Sequence, residues 1–217
     1  MSLHHFFLDD QILADEADAV FPLRLAADDL KHARVLRLQP GEHVAVVDAA
    51  ADYFECEVVS FDGGGMTARI SSKLDAPARP SVVLLQGIAK GEKMDQVVRH
   101  ATELGVSGIV PLACERSIVK LDAKKAASRT QRWRTIAKSA AMQAGRASVP
   151  EVSEPLGVRH AARSLAEATA VLVFWEEAPL DAKIAPALAE ALAACECSDV
   201  ADARVGVVVG PEGGLTA

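Results

Sequence analysis

Two different patterns of hydrophobic and polar positions divide the chain. Residues 43–74 read as short strands separated by turn residues. The predicted strands are His43–Val47, Tyr53–Phe61 and Met66–Leu74. A short helix is predicted before them, over Ala26–Leu38, because acidic residues occupy its first turn and Pro40 and Gly41 follow its end. The spacing of the strands indicates a small β-rich unit.

From residue 81 onward, predicted strands alternate with predicted helices. The strands are Ser81–Ile88, Ser107–Ala113, a short one near Val152, Ala170–Trp175 and Arg204–Val209. The helices are Glu92–Leu104, Asp122–Gly145, one near 158–166 and one near 186–194. In the first of them Met94, Val97, Val98, Ala101 and Leu104 form one apolar stripe, which predicts a face turned to the core. Such alternation predicts an α/β fold with a mostly parallel sheet.

The linker between the two patterns is predicted at Ala76–Pro80, which contains two prolines and shows no apolar periodicity. We therefore expect one domain over residues 1–75 and a second over residues 76–217.

Charge is distributed unevenly along the chain. The formal net charge of −7 disfavours a polyanionic partner when it is taken as an average. Residues 76–150, however, carry 13 basic and 5 acidic side chains, against 6 and 14 in residues 1–75 and 4 and 11 in residues 151–217. A concentration of positive charge of this kind arises either from solvated helix faces or from a localised anionic partner.

Other classes of protein are disfavoured by the same sequence. No apolar run approaches the roughly 20 residues that span a bilayer, and no secretory signal begins the chain, so we expect a soluble, cytoplasmic protein. The four cysteines, at positions 56, 114, 195 and 197, lack the spacing of a zinc site. We expect no metal, and we expect the thiols to pack as small hydrophobic groups.

Ligands of open α/β sheets bind beyond the carboxyl ends of the strands, so the loops that follow strands are the candidate sites. The predicted strand at 204–209 runs into Gly210-Pro211-Glu212-Gly213-Gly214-Leu215-Thr216, whose glycines allow the backbone to approach a ligand closely. The strand at 170–175 runs into Phe174-Trp175-Glu176-Glu177, where an aromatic side chain could line a pocket for a flat ring or could lie at the edge of the core.

Several segments together resemble one family. The segment 210–216 is similar to the cofactor loop of the SPOUT methyltransferases, and specifically of the RsmE family, which methylates N3 of a uridine in 16S ribosomal RNA. Further segments similar to that family's motifs occur in order and at matching separations: His32-Ala33-Arg34-Val35-Leu36-Arg37-Leu38, Lys90-Gly91-Glu92-Lys93-Met94-Asp95, Thr102-Glu103-Leu104-Gly105-Val106, Glu115-Arg116-Ser117, Arg132-Trp133 and Gln143-Ala144-Gly145-Arg146.

The resemblance implies a fold and a set of partners. It implies a SPOUT-type, mostly parallel sheet with helices on both faces and a trefoil knot, preceded by a small PUA-like RNA-binding β-barrel. It also implies a homodimer that acts on the small ribosomal subunit with S-adenosylmethionine as cofactor. The family continues beyond the position of Ala217 through a segment that completes the cofactor pocket, so the resemblance implies either a further C-terminal segment or a chain that is defective in cofactor binding.

The resemblance also implies site residues. Those expected to bind the cofactor are Phe174, Trp175, Glu176, Gly210, Pro211, Glu212, Gly213, Gly214 and Leu215. Those expected to bind RNA, chosen from the basic residues in the matching segments, are Lys31, Arg34, Arg37, Lys90, Lys93, Arg116, Arg132 and Arg146. The general base is not identified, and Glu212 is the candidate for it because it is a carboxylate within the loop.

Two other functions are compatible with the same residues. One is a ribosome-assembly factor that binds RNA without transferring a methyl group. The other is a SPOUT methyltransferase with a different RNA target, such as a ribose 2′-hydroxyl.

Overall fold

A computed structural model describes residues 3–62, 64–179 and 181–215. The chain forms two compact units. One comprises Met1–Pro77 together with Ala141–Ser148, and the other comprises Ala78–Ala140 together with Val149–Ala217. The segment 141–148 thus belongs with the N-terminal residues although it follows the first helices of the second unit along the chain.

The first unit is built on a five-stranded sheet with the order β1-β3-β4-β5-β2. Its elements are β1 (His4–Phe7), β2 (Phe21–Leu23), α1 (Ala27–Leu36), β3 (His43–Val47), β4 (Tyr53–Asp62) and β5 (Gly65–Leu74). β1 runs parallel to β3, and the other pairs are antiparallel. One hydrophobic cluster, which includes Phe6, Phe54 and Met66, forms the core of this unit. The strands at 43–74 and the helix before them were predicted, whereas the shorter β1 and β2 were not.

The second unit contains a six-stranded parallel sheet with the order β10-β11-β6-β7-β8, and β9 pairs with β7 beside that path. Its strands are β6 (Ser81–Gly87), β7 (Gly108–Ala113), β8 (Glu151–Val152), β9 (Leu156–Gly157), β10 (Ala170–Phe174) and β11 (Arg204–Val209). Its helices are α2 (Lys93–Leu104), α3 (Ala123–Gln143, whose last residues belong to the first unit), α4 (Val158–Ala161) and α5 (Ile184–Ala194). The predicted parallel α/β arrangement is confirmed.

Alternate residues of β6 pack into two different clusters, as the two-residue period of a strand requires. Leu84 lies in one cluster with Met94 of α2 and Trp133 of α3, whereas Leu85 lies in another with Ala161 of α4. Both faces of this central strand are therefore buried. This explains its nearly continuous apolar sequence.

The apolar stripe predicted on α2 is wrong at its last position. Met94, Val98 and Ala101 are buried, but the Leu104 side chain is 84% exposed. Gly105 follows it in the left-handed conformation, with φ of 108°, and ends the helix as predicted. The buried part of the stripe thus ends at Ala101, three residues before the end of the helix.

Candidate functional site

Three loops begin side by side at the carboxyl ends of adjacent strands. In the register of the sheet Phe174 of β10 pairs with Val209 of β11, and Val209 pairs with Gln86 of β6. The segments that follow these residues therefore leave the sheet at the same level. This is where ligands bind in open parallel sheets.

A cavity of about 690 Å³ lies beside two of these loops. Its walls come from β10, the residues that follow β10, the start of α5 and the glycine-rich segment after β11. Of the residues expected to bind cofactor, those in the cavity wall are Phe174, Trp175, Glu176, Gly210, Pro211 and Gly214. The structure thus brings together the two loops that sequence reasoning selected.

Gly214 fixes the shape of the loop at the cavity wall. Its φ of +74° is a left-handed conformation that side chains rarely adopt, and a Cβ at this position would collide with the Glu176 carboxylate. The Gly214 N–H donates a hydrogen bond to the Pro211 carbonyl oxygen over 2.9 Å, which closes the turn. The Glu176 carboxylate can therefore lie against the loop only because residue 214 has no side chain.

Three of the residues expected to bind cofactor lie outside the cavity wall. Leu215 packs in the hydrophobic cluster that contains Leu85 and Ala161. A Cβ at Gly213 would lie 2.8 Å from the Arg116 carbonyl oxygen, so this glycine permits close approach of the loop after β7. Glu212 is the third residue outside the wall, and its carboxylate accepts a hydrogen bond from the Lys90 backbone. Thr216, which ends the motif, lies outside the described residues.

Glu212 connects the glycine-rich loop to the loop after β6. Its Oε1 accepts a hydrogen bond from the Lys90 backbone N–H over 3.0 Å and lies 3.6 Å from Lys93 Nζ. The hydrogen bond from the Lys90 N–H is the main reason that the pKa of Glu212 is below its ordinary value, and the charge of Lys93 also contributes. A carboxylate held in this way is a poor acceptor for a further proton.

Gln86 holds the same loop from the sheet. Its buried side-chain amide donates hydrogen bonds to the carbonyl oxygens of Gly87, over 3.0 Å, and of Gly210, over 3.4 Å. Gly87 follows, and a Cβ there would lie 2.7 Å from the Gly210 carbonyl carbon. Sequence reasoning missed both residues. The one sequence feature that could have pointed to this site is the amide side chain of Gln86 within the apolar run Ser81–Ile88.

The basic residues of the second unit that are expected to bind RNA do not all lie beside the glycine-rich loop. Lys90, Lys93 and Arg116 all flank the glycine-rich loop through the contacts described above. Arg132 lies elsewhere, on α3, where its Nε and a terminal nitrogen donate to Asp95 Oδ2 of α2 over 2.9 and 2.6 Å. Asp95 is buried, and its hydrogen bond to Arg132 is the main cause of a raised pKa for the guanidinium. Arg132 therefore joins two helices.

The other basic residues expected to bind RNA lie in the first unit. Lys31 and Arg34 are on α1, and Lys31 pairs with Asp28 over 3.1 Å on the exposed face of that helix. Arg37 caps the end of α1 with a positive φ of 56°. Arg146 follows Gly145 in the segment 141–148.

No group of three or more histidine, cysteine or acidic side chains within residues 3–62, 64–179 and 181–215 is placed to hold a metal ion. Over the same residues no helix is both long and apolar enough to cross a membrane.

Comparison with known proteins gives this geometry a context. Residues 77–217 match the RNA methyltransferase domain family. The ribosomal RNA small subunit methyltransferase E of Mycobacterium bovis is 31% identical over 191 residues, which are 84% of this chain and 67% of that protein. The protein of the same name from Bacillus subtilis is 29% identical over 199 residues, 88% of this chain and 74% of that protein.

A solved structure shares the fold. The ribosomal RNA small subunit methyltransferase E from Neisseria gonorrhoeae, solved bound to S-adenosyl methionine, superposes with a TM-score of 0.75 at 28% identity, covering 99% of this chain and 82% of that one. With the matching family domain and the similarity over most of the chain, this confirms the resemblance seen in the motifs. The chain belongs to the ribosomal RNA small subunit methyltransferase E (RsmE) family.

Proposed function

We propose that this protein transfers a methyl group from S-adenosylmethionine to N3 of a uridine in the 16S RNA of the small ribosomal subunit. The observation that carries the proposal is the cavity where β10 and β11 end, with the glycine-rich loop on one side and Phe174 and Trp175 on another. It occurs in a chain of the RsmE family, of which one member is solved with S-adenosyl methionine bound.

The residues of the cavity fit this cofactor. About 690 Å³ lies within the range of roughly 300–1,000 Å³ typical of small-molecule sites. Phe174 and Trp175 offer flat apolar surfaces for a purine ring, the backbone at Gly210 and Gly214 can approach the ligand closely, and Glu176 supplies acceptors for hydroxyl or ammonium donors.

The bound cofactor would supply the electrophile. The uridine N3 would lose its proton and attach to the methyl carbon, and the sulfur would leave with the electron pair of the C–S bond as S-adenosylhomocysteine. The task of the protein in such a transfer is alignment. Gln86, Glu212 and Gly214 serve this task by fixing the loop at the cavity wall, and loops held to adjacent strands are rigid platforms for it.

Glu212 is a positioning residue in this proposal and not the general base. It does not line the cavity, and both Lys90 and Lys93 stabilise its ionised form. We expect Glu212→Gln, which keeps an acceptor for the Lys90 N–H, to retain most cofactor affinity, and Glu212→Ala to lose it. The profile of kcat/KM against pH should have the same shape for Glu212→Gln as for the unmodified protein, because a group with a lowered pKa is already ionised near neutrality. Loss of the acid limb of that profile in Glu212→Gln would instead identify Glu212 as the base.

RNA is proposed to approach from the side of the basic residues. Lys90, Lys93 and Arg116 flank the glycine-rich loop, and residues 76–150 carry most of the positive charge of the chain. Contacts from such side chains to phosphates position an RNA without specifying its sequence. We expect Arg132 to contribute less to RNA binding, because its guanidinium already donates hydrogen bonds to Asp95.

The family resemblance supports four finer proposals. We propose that residues 1–75 form a PUA-like RNA-binding domain, that residues 76–217 form the SPOUT methyltransferase domain with its trefoil knot, that the protein is a homodimer, and that it is cytoplasmic. The five-stranded sheet of the first unit supports the first proposal, and the parallel sheet of the second unit supports the second. Light scattering after size-exclusion chromatography tests the dimer.

The activity is tested by incubating the protein with methyl-labelled S-adenosylmethionine and small ribosomal subunits from a strain that lacks the modification. We expect label in 16S RNA, and nucleoside mass spectrometry should identify 3-methyluridine. RNA binding without incorporated label would support the assembly-factor alternative, and a ribose-methylated product would identify a different target. Either result overturns the proposed function.

A further inference from the structure

The cavity wall contains two charged side chains, those of Glu176 and Lys183. The other described residues of the wall are apolar residues, proline and glycine. Both residues are exposed to solvent, so a ligand that enters the cavity can reach either side chain. They are the two charged groups that such a ligand would meet on the described wall.

Over residues 3–62, 64–179 and 181–215, no group of opposite charge lies within the 4.0 Å of an ion pair from Lys183 or from Glu176, and the two do not pair with each other. Lys183 is also the single lysine of residues 151–217, a segment in which acidic residues outnumber basic ones 11 to 4. Lys183 is thus one of four cations in a part of the sequence where acidic residues predominate.

The two charges belong to different parts of the wall. The Glu176 carboxylate lies against Gly214 of the glycine-rich loop. Lys183 immediately precedes α5 in an extended conformation, and its neighbours Ile184 and Ala187 also line the cavity. A ligand that fills the cavity can therefore meet an anion at the loop and a cation at the start of α5.

We propose that Lys183 binds the carboxylate of the methionine moiety of S-adenosylmethionine. This inference rests on the proposed function, because it concerns the same cavity. The cofactor has a single carboxylate, and an ammonium group and a carboxylate form a charge-assisted hydrogen bond. Lys183 thereby selects an amino-acid-bearing nucleoside over one that lacks the carboxylate, while Glu176 accepts hydrogen bonds from the ligand at the glycine-rich loop.

The test compares two ligands on variants of the full chain by isothermal titration calorimetry. One ligand is S-adenosylhomocysteine, and the other is its decarboxylated analogue, which keeps the amine. We expect Lys183→Met to weaken S-adenosylhomocysteine by roughly tenfold or more, as the loss of a charge-assisted hydrogen bond predicts, and to leave the decarboxylated analogue nearly unchanged. Lys183→Arg should recover part of the loss, and Lys124→Met, an exposed lysine outside the cavity, should alter neither affinity.

The outcomes separate this inference from the proposed function. If Lys183→Met weakens both ligands equally, or neither, Lys183 does not recognise the carboxylate and the inference is wrong while the proposed function stands. If the unmodified protein binds no S-adenosylhomocysteine, the proposed function itself fails. Circular dichroism of Lys183→Met and of Lys183→Gln shows whether any loss of binding reflects unfolding.

Discussion

At the scale of single residues, Gly214 links the backbone conformation of the glycine-rich loop to the shape of the cavity wall. We expect Gly214→Ala to weaken S-adenosylmethionine binding by roughly tenfold or more, because the left-handed φ of +74° is strained for alanine and the added methyl group displaces Glu176. Calorimetric titration with the cofactor measures the effect.

A matched control separates strain from crowding. Gly41, in the first unit, has a similar φ of +88°, but a Cβ there meets nothing within 4 Å. Gly41→Ala should cost about 1 kcal/mol of stability and leave cofactor affinity unchanged. Equal cofactor affinity in Gly214→Ala and Gly41→Ala would show that the loop at 210–214 does not bind the cofactor.

The cysteines should differ sharply in reactivity. Cys56 lies in the core of the first unit, where burial raises the pKa of its thiol to about 12. Its thiolate is therefore scarce at pH 8, whereas Cys195 is exposed. We expect iodoacetamide at pH 8 to modify Cys195 in the folded protein and Cys56 only after denaturation, as mass spectrometry of tryptic peptides would show. Equal labelling of both in the folded state contradicts the burial of Cys56.

Residue types alone predicted part of the site. Glycines after a strand, together with a neighbouring aromatic pair, identified the two loops that line the cavity. The role of Glu212 could not be read in the same way, because its partner Lys90 is 122 residues away along the chain and its bond is to a backbone group. Lys183 was missed because it matches no motif and lies before a helix rather than after a strand.

At the scale of elements, the pair Arg132–Asp95 joins α3 to α2. We expect Arg132→Ala to lower the thermal unfolding temperature, because it removes both hydrogen bonds to Asp95 Oδ2 and leaves a buried carboxylate without its cation. Differential scanning calorimetry measures the change. Arg129→Ala, on the same helix, is the control, because no ion pair of Arg129 forms with any other described residue.

A double substitution tests the origin of that loss. Asp95→Asn combined with Arg132→Gln removes both charges, so it should be less destabilising than Arg132→Ala alone. If Arg132→Ala leaves the unfolding temperature unchanged, the pair does not stabilise the contact between α2 and α3. Because of this structural role, Arg132 is an unsuitable probe of RNA binding.

Long periodic elements could be predicted from the sequence, and short ones could not. The bounds of β11 agree with the prediction residue for residue, and α2 begins one residue later than predicted and ends where predicted. β2 has three residues and contains Pro22, which is tolerated because this strand lies at the edge of its sheet. No local pattern distinguishes such a strand from a loop.

At the scale of the whole molecule, the linker near residue 77 marks only one of the connections between the two units. Residues 141–148 also belong to the first unit, and there Met142 packs against its core. This assignment depends on contacts between residues far apart in sequence. Hydrophobic periodicity predicted a single helix through residue 145 and could not show that the end of this helix belongs to the first unit.

The uneven charge distribution leads to the last prediction. Lys90 and Arg116 both lie beside the glycine-rich loop, and replacing both by glutamine should weaken binding to 16S RNA. The slope of log K against log salt concentration should also become shallower by about 1 to 2, because each lost phosphate contact removes about 0.7–0.9 from it. Cofactor affinity should be unchanged, because neither side chain lines the cavity.

The control removes the same amount of charge elsewhere. Arg159 and Arg163 are exposed cations of the acidic segment 151–217, and replacing both by glutamine should leave the salt slope unchanged. Filter-binding measurements across a range of potassium chloride concentrations compare the two pairs. If both pairs change the slope equally, the RNA responds to net charge and not to the concentration of positive charge in residues 76–150.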